Sequence, residues 1–277
     1  MTSCPPISFE FFPPRDADGR SRLITNVANK LAKLTPEFFS VTYGAGGSTR
    51  DGTQQTIKQL LEAGYNAAPH LSMGDDEHND ICVMLDTYKA MGVKRIVALR
   101  GDQPSGFSAN RFSNNAEALI KLIRSHSGDF FHIEAAAYPE THPDAKSAAA
   151  DLDFFKRKVD AGANSAITQY FYSADAYEEF LIRTAHAGIE APIVPGIMPI
   201  ASLEGILRFS QKCGADVPRW LRYALSDLAD DDHAVQAYVV EYLSRLCERL
   251  IALGAPGLHF YTLNRWGATT RICENIG

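Results

Sequence analysis

The chain has no long apolar run, no CxxC pair, no HExxH and no GxGxxG after its first strand-like segment. Each absence narrows what the protein can be. A membrane span needs about 20 apolar residues, so no spanning helix and no membrane partner are expected. The N-terminus, MTSCPPISFEFF, lacks a basic region followed by an apolar one. No secretory leader is read there, and a cytoplasmic protein is expected. Five cysteines (Cys4, Cys82, Cys213, Cys247 and Cys273) are scattered and odd in number, as suits reduced thiols that mainly pack. His78 and Cys82 stand four apart, but two ligand types without a nearby third do not build a zinc site, so no metal is expected. Positive charge is short as well: 27 Lys and Arg against 33 Asp and Glu leave a net −6, which argues against nucleic acid as a partner.

What remains is a chain built to fold. Hydrophobic residues make up 45% and charged residues 22% of the 277, enough to bury a large core and too apolar for disorder. No linker or low-complexity stretch divides it, so residues 1–277 read as a single domain. The stretch RIVALRGDQP, residues 95–104, sets the pattern: a short apolar run buried on both faces delivers Arg100, Gly101 and Asp102 at its carboxyl end. The same pattern recurs at 7–12, 38–43, 67–72, 132–137, 166–170, 192–197 and 258–263. Helical spacing is read between these runs at 21–34, 53–63, 79–91, 113–125, 148–161, 175–187, 203–212 and 233–253. Residues 214–232, with the acid run DLADDD, read as an irregular solvated insertion. Strands alternating with helices in this way predict an α/β fold, a parallel (β/α)8 TIM barrel. An open doubly wound sheet is the alternative.

Barrels of this kind carry their chemistry at the carboxyl ends of the strands. Here those positions hold Glu10, Thr42, Tyr43, His70, Arg100, Gly101, Asp102, Tyr138, Gln169, Met198, Pro199, Asn264 and Arg265. Glu10 is distinctive because it sits between Phe9 and Phe11. A carboxylate so placed needs a partner or is pushed toward its neutral form. It reads either as one half of a buried salt bridge or as a general acid. GAGGST at 44–49 reads as an anion cradle or a flexible loop, and without GK[ST] it implies no nucleoside triphosphate. KRK at 156–158 lies on a helix where Asp151 and Lys158 share a side face. It reads as a solvated charge stripe, or as Arg157 and Lys158 holding a pyrophosphate.

SFEFFPP around Glu10, VTYGAGGST at 42–49, PHLS at 69–72, ALRGD at 98–102 and AAYPE at 136–140 resemble the motifs of methylenetetrahydrofolate reductase. So do KRKVDAGA at 156–163, ITQ at 167–169, PGIMP at 195–199 and FYTLNR at 260–265. The matches run in order along the whole chain, and the length resembles the bacterial form that consists of the catalytic barrel alone.

The resemblance implies a flavoenzyme that holds FAD and reduces methylenetetrahydrofolate to methyltetrahydrofolate, with NADH or NADPH as co-substrate, feeding methionine synthesis. It implies a homo-oligomer. It sets Thr42, Tyr43, Ala45, His70, Arg100, Gly101, Asp102, Tyr138, His142, Asp151, Arg157 and Lys158 at FAD-contacting positions. Asp102, Gln169, Phe209 and Arg265 fall at folate-binding positions, and Glu10 and Asp102 at catalytic ones. Glu10 would protonate the leaving N10, and Asp102 would stabilise the cationic iminium. Two substrates that need one flavin face imply alternating occupancy of one pocket. Two departures stand out: Phe154 where the adenosine end often meets a polar group, and Tyr170–Ser173 after the glutamine. A non-catalytic flavin- or folate-binding barrel is the competing reading. A sugar-phosphate aldolase or isomerase is a weaker one, for want of a lysine nucleophile or a phosphate loop.

Overall fold

Residues 5–43, 50–73, 78–100 and 115–277 are described by the computed structural model of the protein. Ala45, Gly101 and Asp102 lie outside the described residues. Nine parallel strands follow one another: β1 (Ile7–Phe11), β2 (Phe38–Val41), β3 (Ala67–Ser72), β4 (Arg95–Leu99), β5 (His132–Ala137), β6 (Ser165–Thr168), β7 (Ile193–Val194), β8 (Gly196–Ile197) and β9 (Leu258–Tyr261). They pair in the order β7-β6-β5-β4-β3-β2-β1-β9-β8. β7 and β8 are two halves of one strand, broken at Pro195, which has no N–H to give a ladder. The first half pairs with β6 and the second with β9. The Pro195 carbonyl accepts the His259 amide at 3.0 Å, so the ring closes as the expected (β/α)8 barrel.

Closure is tight at Gly196. A Cβ there would lie 2.2 Å from the Thr168 carbonyl oxygen and 2.5 Å from the Tyr261 ring. Only glycine lets the broken strand approach its neighbours this closely.

The helical layer comprises α1 (Ala17–Leu23), α2 (Asn29–Leu31), α3 (Arg50–Glu62), α4 (His78–Ala90), α5 (Ala116–Ser127), α6 (Ala148–Asp160), α7 (Ala174–His186), α8 (Leu203–Cys213), α9 (Arg219–Asp227), α10 (Asp232–Ala252) and α11 (Gly267–Ile276). Asn115, Ser147, Ser202 and Asp231 cap α5, α6, α8 and α10 by accepting first-turn amides. Three expectations are corrected. Residues 214–232 contain α9, a nine-residue helix that buries Leu221 and Leu225, although Pro218 and the acid run mark its two ends as loop. The C-terminal helix α11 was not expected; it buries Thr269, Ile272 and Cys273. β9 stops at Tyr261 because Leu263 and Asn264 take φ of 51° and 57°, in the left-handed region.

Side chains alternate along each strand, so every second residue faces the barrel axis. In β1, Phe9 and Phe11 turn outward into the large core shared with the helices. Ser8 and Glu10 turn inward. The interior is layered. Phe38, Ala68, Val97 and Ile167 form an apolar plug across the middle. Below it, at the amino ends of the strands, Arg95 pairs with both Glu37 and Glu134, and its guanidinium lies over the Phe38 ring. Ser165 donates to Glu134 at 2.6 Å, and His132 is 3.3 Å from the same carboxylate.

Burial pushes the Glu134 carboxyl up, but its bond to His132, the Arg95 charge and the Ser165 hydroxyl together hold it below the ordinary 4.5. A carboxyl held low contributes stability in full above its ordinary value and loses it as pH falls through the folded value. Glu134→Gln is therefore expected to cost about 3 kcal/mol at pH 7, since Arg95 keeps Glu37 as a partner. Denaturant titrations should show the gap to wild type narrowing below pH 4.5; a constant gap would detach this carboxylate from acid stability.

Candidate active site

Above the plug the interior turns polar. Glu10 sits on β1 beside Ser40 of β2 and Tyr261 of β9. Its Oε2 lies 3.4 Å from His70 Nε2 and 3.6 Å from His259 Nε2. Its side chain is 12% exposed, and that of His259 is fully buried. Among the described residues no lysine or arginine stands within ion-pair distance of Glu10. Burial, opposed by Glu10 and reinforced by His259, lowers the His70 pKa from its ordinary 6.5, so at pH 7 that ring is uncharged. Among the described residues the near neighbours of the Glu10 carboxyl are therefore two imidazoles, that of His70 uncharged at pH 7.

The far side of His259 is also fixed. Its Nδ1 is 2.7 Å from Ser8 Oγ, one turn of the pleat below Glu10 on the same inward face. Tyr261 donates its hydroxyl to the Thr168 carbonyl at 2.7 Å, and burial raises its pKa well above 10.0, with Glu10 adding to the effect. Sequence reading missed Ser8, His259 and Tyr261. The signal was available: the inward alternation of 7–12 and 258–263 sets Ser8 and Glu10 against His259 and Tyr261 in adjacent strands.

Four buried polar atoms around this carboxylate have no hydrogen-bond partner among the described residues: Ser40 Oγ, Thr42 Oγ1, His70 Nε2 and His259 Nε2. Buried polar groups are almost always satisfied, so their concentration on or next to β2, β3 and β9 around Glu10 marks a place where a polar ligand fits. Tyr43 follows Thr42 and is partly exposed.

A second group forms over the ends of β4 and β5 and the start of α6. Arg100 pairs with Asp144 at 2.7 Å, and Asp144 donates its amide to His142 Nδ1 at 3.0 Å. Asp151 accepts the His142 amide at 3.0 Å. The Tyr138 and His142 rings meet edge to face, 4.5 Å between centroids. Burial first, then Arg100, lowers the His142 pKa, and Lys158 contributes in the same direction. Five of the expected cofactor residues, Arg100, Tyr138, His142, Asp151 and Lys158, are thereby brought together.

Lys158 requires a correction. It is not on a solvated stripe: the residue is 4% exposed, and its Nζ donates to the Ala136 carbonyl inside the helix–strand seam. Burial pushes its pKa down to about 8, with Asp151 opposing. Arg157, next to it in sequence, points outward to Glu117 and Asp153 and does not join the group. Phe154 lies between the two cations, its ring 5.1 Å from the Arg157 guanidinium and 5.2 Å from Lys158 Nζ.

Next to this group, after β6, Gln169 accepts the Tyr170 amide at 2.9 Å and borders a small cleft shared with Tyr138, Glu140 and Cys213. Phe209 projects from α8 and is 43% exposed. Arg265 follows the left-handed pair Leu263–Asn264 and is exposed. The Asn264 amide clips the end of β1, accepting from the Phe12 N–H and donating to the Phe12 carbonyl, both at 2.9 Å.

Comparison with known proteins agrees with this geometry. A family model described as methylenetetrahydrofolate reductase matches residues 2–277. The 5,10-methylenetetrahydrofolate reductase of Escherichia coli is 38% identical over 272 residues, covering 98% of this chain and 90% of that protein. An Arabidopsis thaliana methylenetetrahydrofolate reductase (NADH) is 37% identical over 286 residues, spanning 98% of this chain but 48% of the plant protein. Among solved structures, an uncharacterized Clostridium thermocellum protein that binds two copies of 5-methyl-5,6,7,8-tetrahydrofolic acid superposes with a TM-score of 0.70 at 15% identity, covering 99% of this chain and 94% of that one. That likeness speaks for the barrel, and the sequence matches speak for the family: this chain belongs to the methylenetetrahydrofolate reductases.

Proposed function

We propose that the protein reduces methylenetetrahydrofolate to methyltetrahydrofolate with electrons from NADH or NADPH passed through bound FAD, and that Glu10 is the general acid. The observation that carries this reading is the Glu10 carboxyl, held in the barrel interior between His70 and His259 with no lysine or arginine partner among the described residues. A barrel that merely bound flavin or folate would gain nothing from an acid in that place.

The residues present fit FAD. Thr42 and His70 offer the unpartnered polar atoms described above, and Arg100 and Lys158 bring positive charge to one edge of the mouth. Arg100, Tyr138, His142, Asp151 and Lys158 would hold it, with Thr42, Tyr43 and His70 toward the barrel axis. When bound, FAD supplies the hydride; the protein supplies placement and protons.

The bridging methylene of the substrate accepts a hydride only after its five-membered ring opens to an iminium. Opening requires a proton on the leaving N10, which Glu10 gives. The Ser8 hydroxyl, 2.7 Å from His259 Nδ1, can donate to it; in that tautomer the imidazole N–H is at Nε2, on the side of Glu10 Oε2. His259 would then favour the transferable proton on the other carboxyl oxygen. Asp102 is assigned by sequence alone to stabilise the iminium charge. Gln169, able to donate and accept, suits the pterin or nicotinamide edge, and Arg265 the folate. The product would feed methionine synthesis.

The first test is colour. The purified protein should be yellow, bleach with NADH or NADPH, and recolour on adding methylenetetrahydrofolate; a colourless, flavin-free protein overturns the reading. Glu10→Gln should still bleach at nearly the wild-type rate, while recolouring slows by at least the ~10²-fold typical of a lost general acid. Equal slowing of both half-reactions would make Glu10 structural.

His259 divides into two substitutions. Glutamine places its amide N–H near the position of Nε2, whereas asparagine reaches only that of Nδ1. His259→Gln is expected to retain most of the recolouring rate, and His259→Asn to lose about tenfold as the N–H on the side of Glu10 is withdrawn. The reverse order in stopped-flow traces would sink the assignment.

Lys158→Met keeps the buried stem and removes the charge. Flavin affinity should fall roughly ten- to hundredfold. Because the ammonium is buried, the loss should depend only weakly on salt. Unchanged FAD per chain after dialysis would remove Lys158 from the cofactor site.

A further inference from the structure

The motif AAYPE ends in a carboxylate that the proposed chemistry does not use. Glu140 follows β5 by three residues, on the loop that also carries Tyr138 and His142. Its Oε2 accepts the backbone N–H of Asp216 at 2.8 Å, reaching across to the segment just after α8. Burial holds the Glu140 carboxyl above its ordinary range, the Asp216 amide only partly opposing it.

One further contact binds the same two segments, and Tyr170, after β6, adds two more to α8. Gly214 caps α8 with φ of 77° and packs on Pro143, so closely that a Cβ would lie 3.0 Å from the proline ring. Tyr170, the residue after Gln169, has its hydroxyl 3.0 Å from Ser210 Oγ and 3.2 Å from Cys213 Sγ, both on α8. Thr141, beside Glu140, holds φ of 73°, a left-handed conformation that a branched residue adopts only when its surroundings impose it. The cleft between Tyr138, Glu140, Gln169, Tyr170 and Cys213 is the seam where the segments meet.

α8 matters because it carries Phe209, a large apolar side chain left exposed. We propose that Glu140, by clasping the Asp216 amide, is a positioning residue that fixes α8, and with it Phe209, against the loop bearing Tyr138 and His142. The inference rests on the reading above, in which that loop faces the cofactor and Phe209 the exchanging substrates. It adds a mechanical link: the rim that receives folate and nicotinamide is registered to the loop that holds the flavin. Both substrates share that rim, so slackening the clasp weakens both.

The test compares Glu140→Ala, Glu140→Gln and Phe209→Ala with the double variant Glu140→Ala/Phe209→Ala, all as flavin-loaded protein. Glu140→Ala should raise KM for methylenetetrahydrofolate and for NADH about tenfold, the worth of one such bond, with kcat within twofold and FAD per chain unchanged. Glu140→Gln keeps an oxygen that accepts the same amide and should stay near wild type. The double variant should show little more loss than Phe209→Ala alone, because Glu140 acts through that ring. Should Glu140→Ala fail to fold, Glu140→Asp, with its shorter arm, reads the same loss. Wild-type KM values in Glu140→Ala overturn the clasp, as does a glutamine variant as impaired as alanine, or strictly additive effects with Phe209. A wild-type protein that neither holds flavin nor turns over folate fails the underlying reading instead.

Discussion

The two-residue alternation of the barrel strands is the constraint on which everything else depends. It sends Phe9 and Phe11 outward into the helix-facing core and leaves Ser8 and Glu10 inside, opposite His259 and Tyr261. A slip of one residue in β1 would exchange these sets, burying a carboxylate among helices and filling the mouth with phenyl rings. The same alternation stacks the interior into an ionic base, an apolar plug and a polar top. Coulombic interactions in the base are therefore separated from the top by the plug residues Phe38, Ala68, Val97 and Ile167. Charge can be arranged for stability at one end and for reactivity at the other.

Sequence reading recovered the strands well because buried parallel strands are short apolar runs with sharp ends, as at 67–72 and 132–137. It failed where local signals contradict tertiary packing. α9 lies between a proline and a run of aspartates, both loop-like, yet Leu221 and Leu225 find a place in the core. The seventh strand was read as one piece, and Pro195 divides its pairing between two neighbours without breaking the barrel. Glu10 was legible from its apolar flanks. Its imidazole partners were harder to see: they come from β3 and β9, and only the closed ring sets them side by side. The burial of Lys158 is hard to read because a helix facing a barrel offers one charged position at the seam where burial is possible, and neighbouring Lys156 and Arg157 are solvated.

The cofactor edge illustrates how an acidic protein places cations where they are needed. The net charge is −6, yet Arg100 and Lys158 converge over the ends of β4 and β5, each beside an aspartate. Asp144 and Asp151 hold that group in order. Lys158, with its ordinary value lowered by burial, is suited to an environment that an anion enters, because an arriving negative charge restores its preference for the proton.

The contacts between β1 and β9 have a consequence in time. Ser8 and His259 are 251 residues apart, and Phe12 and Asn264 are 252 apart. These are among the most distant pairings the chain can make, and loop closure of that length is slow. On the ribosome, Glu10 is made well before the imidazole that faces it. A chain still lacking β9 can stack most of its strands and hold an acid with no partner on one side. Assembly of the proposed proton donor thus waits for β9 to join β1, and catalytic competence itself reports that the two have met.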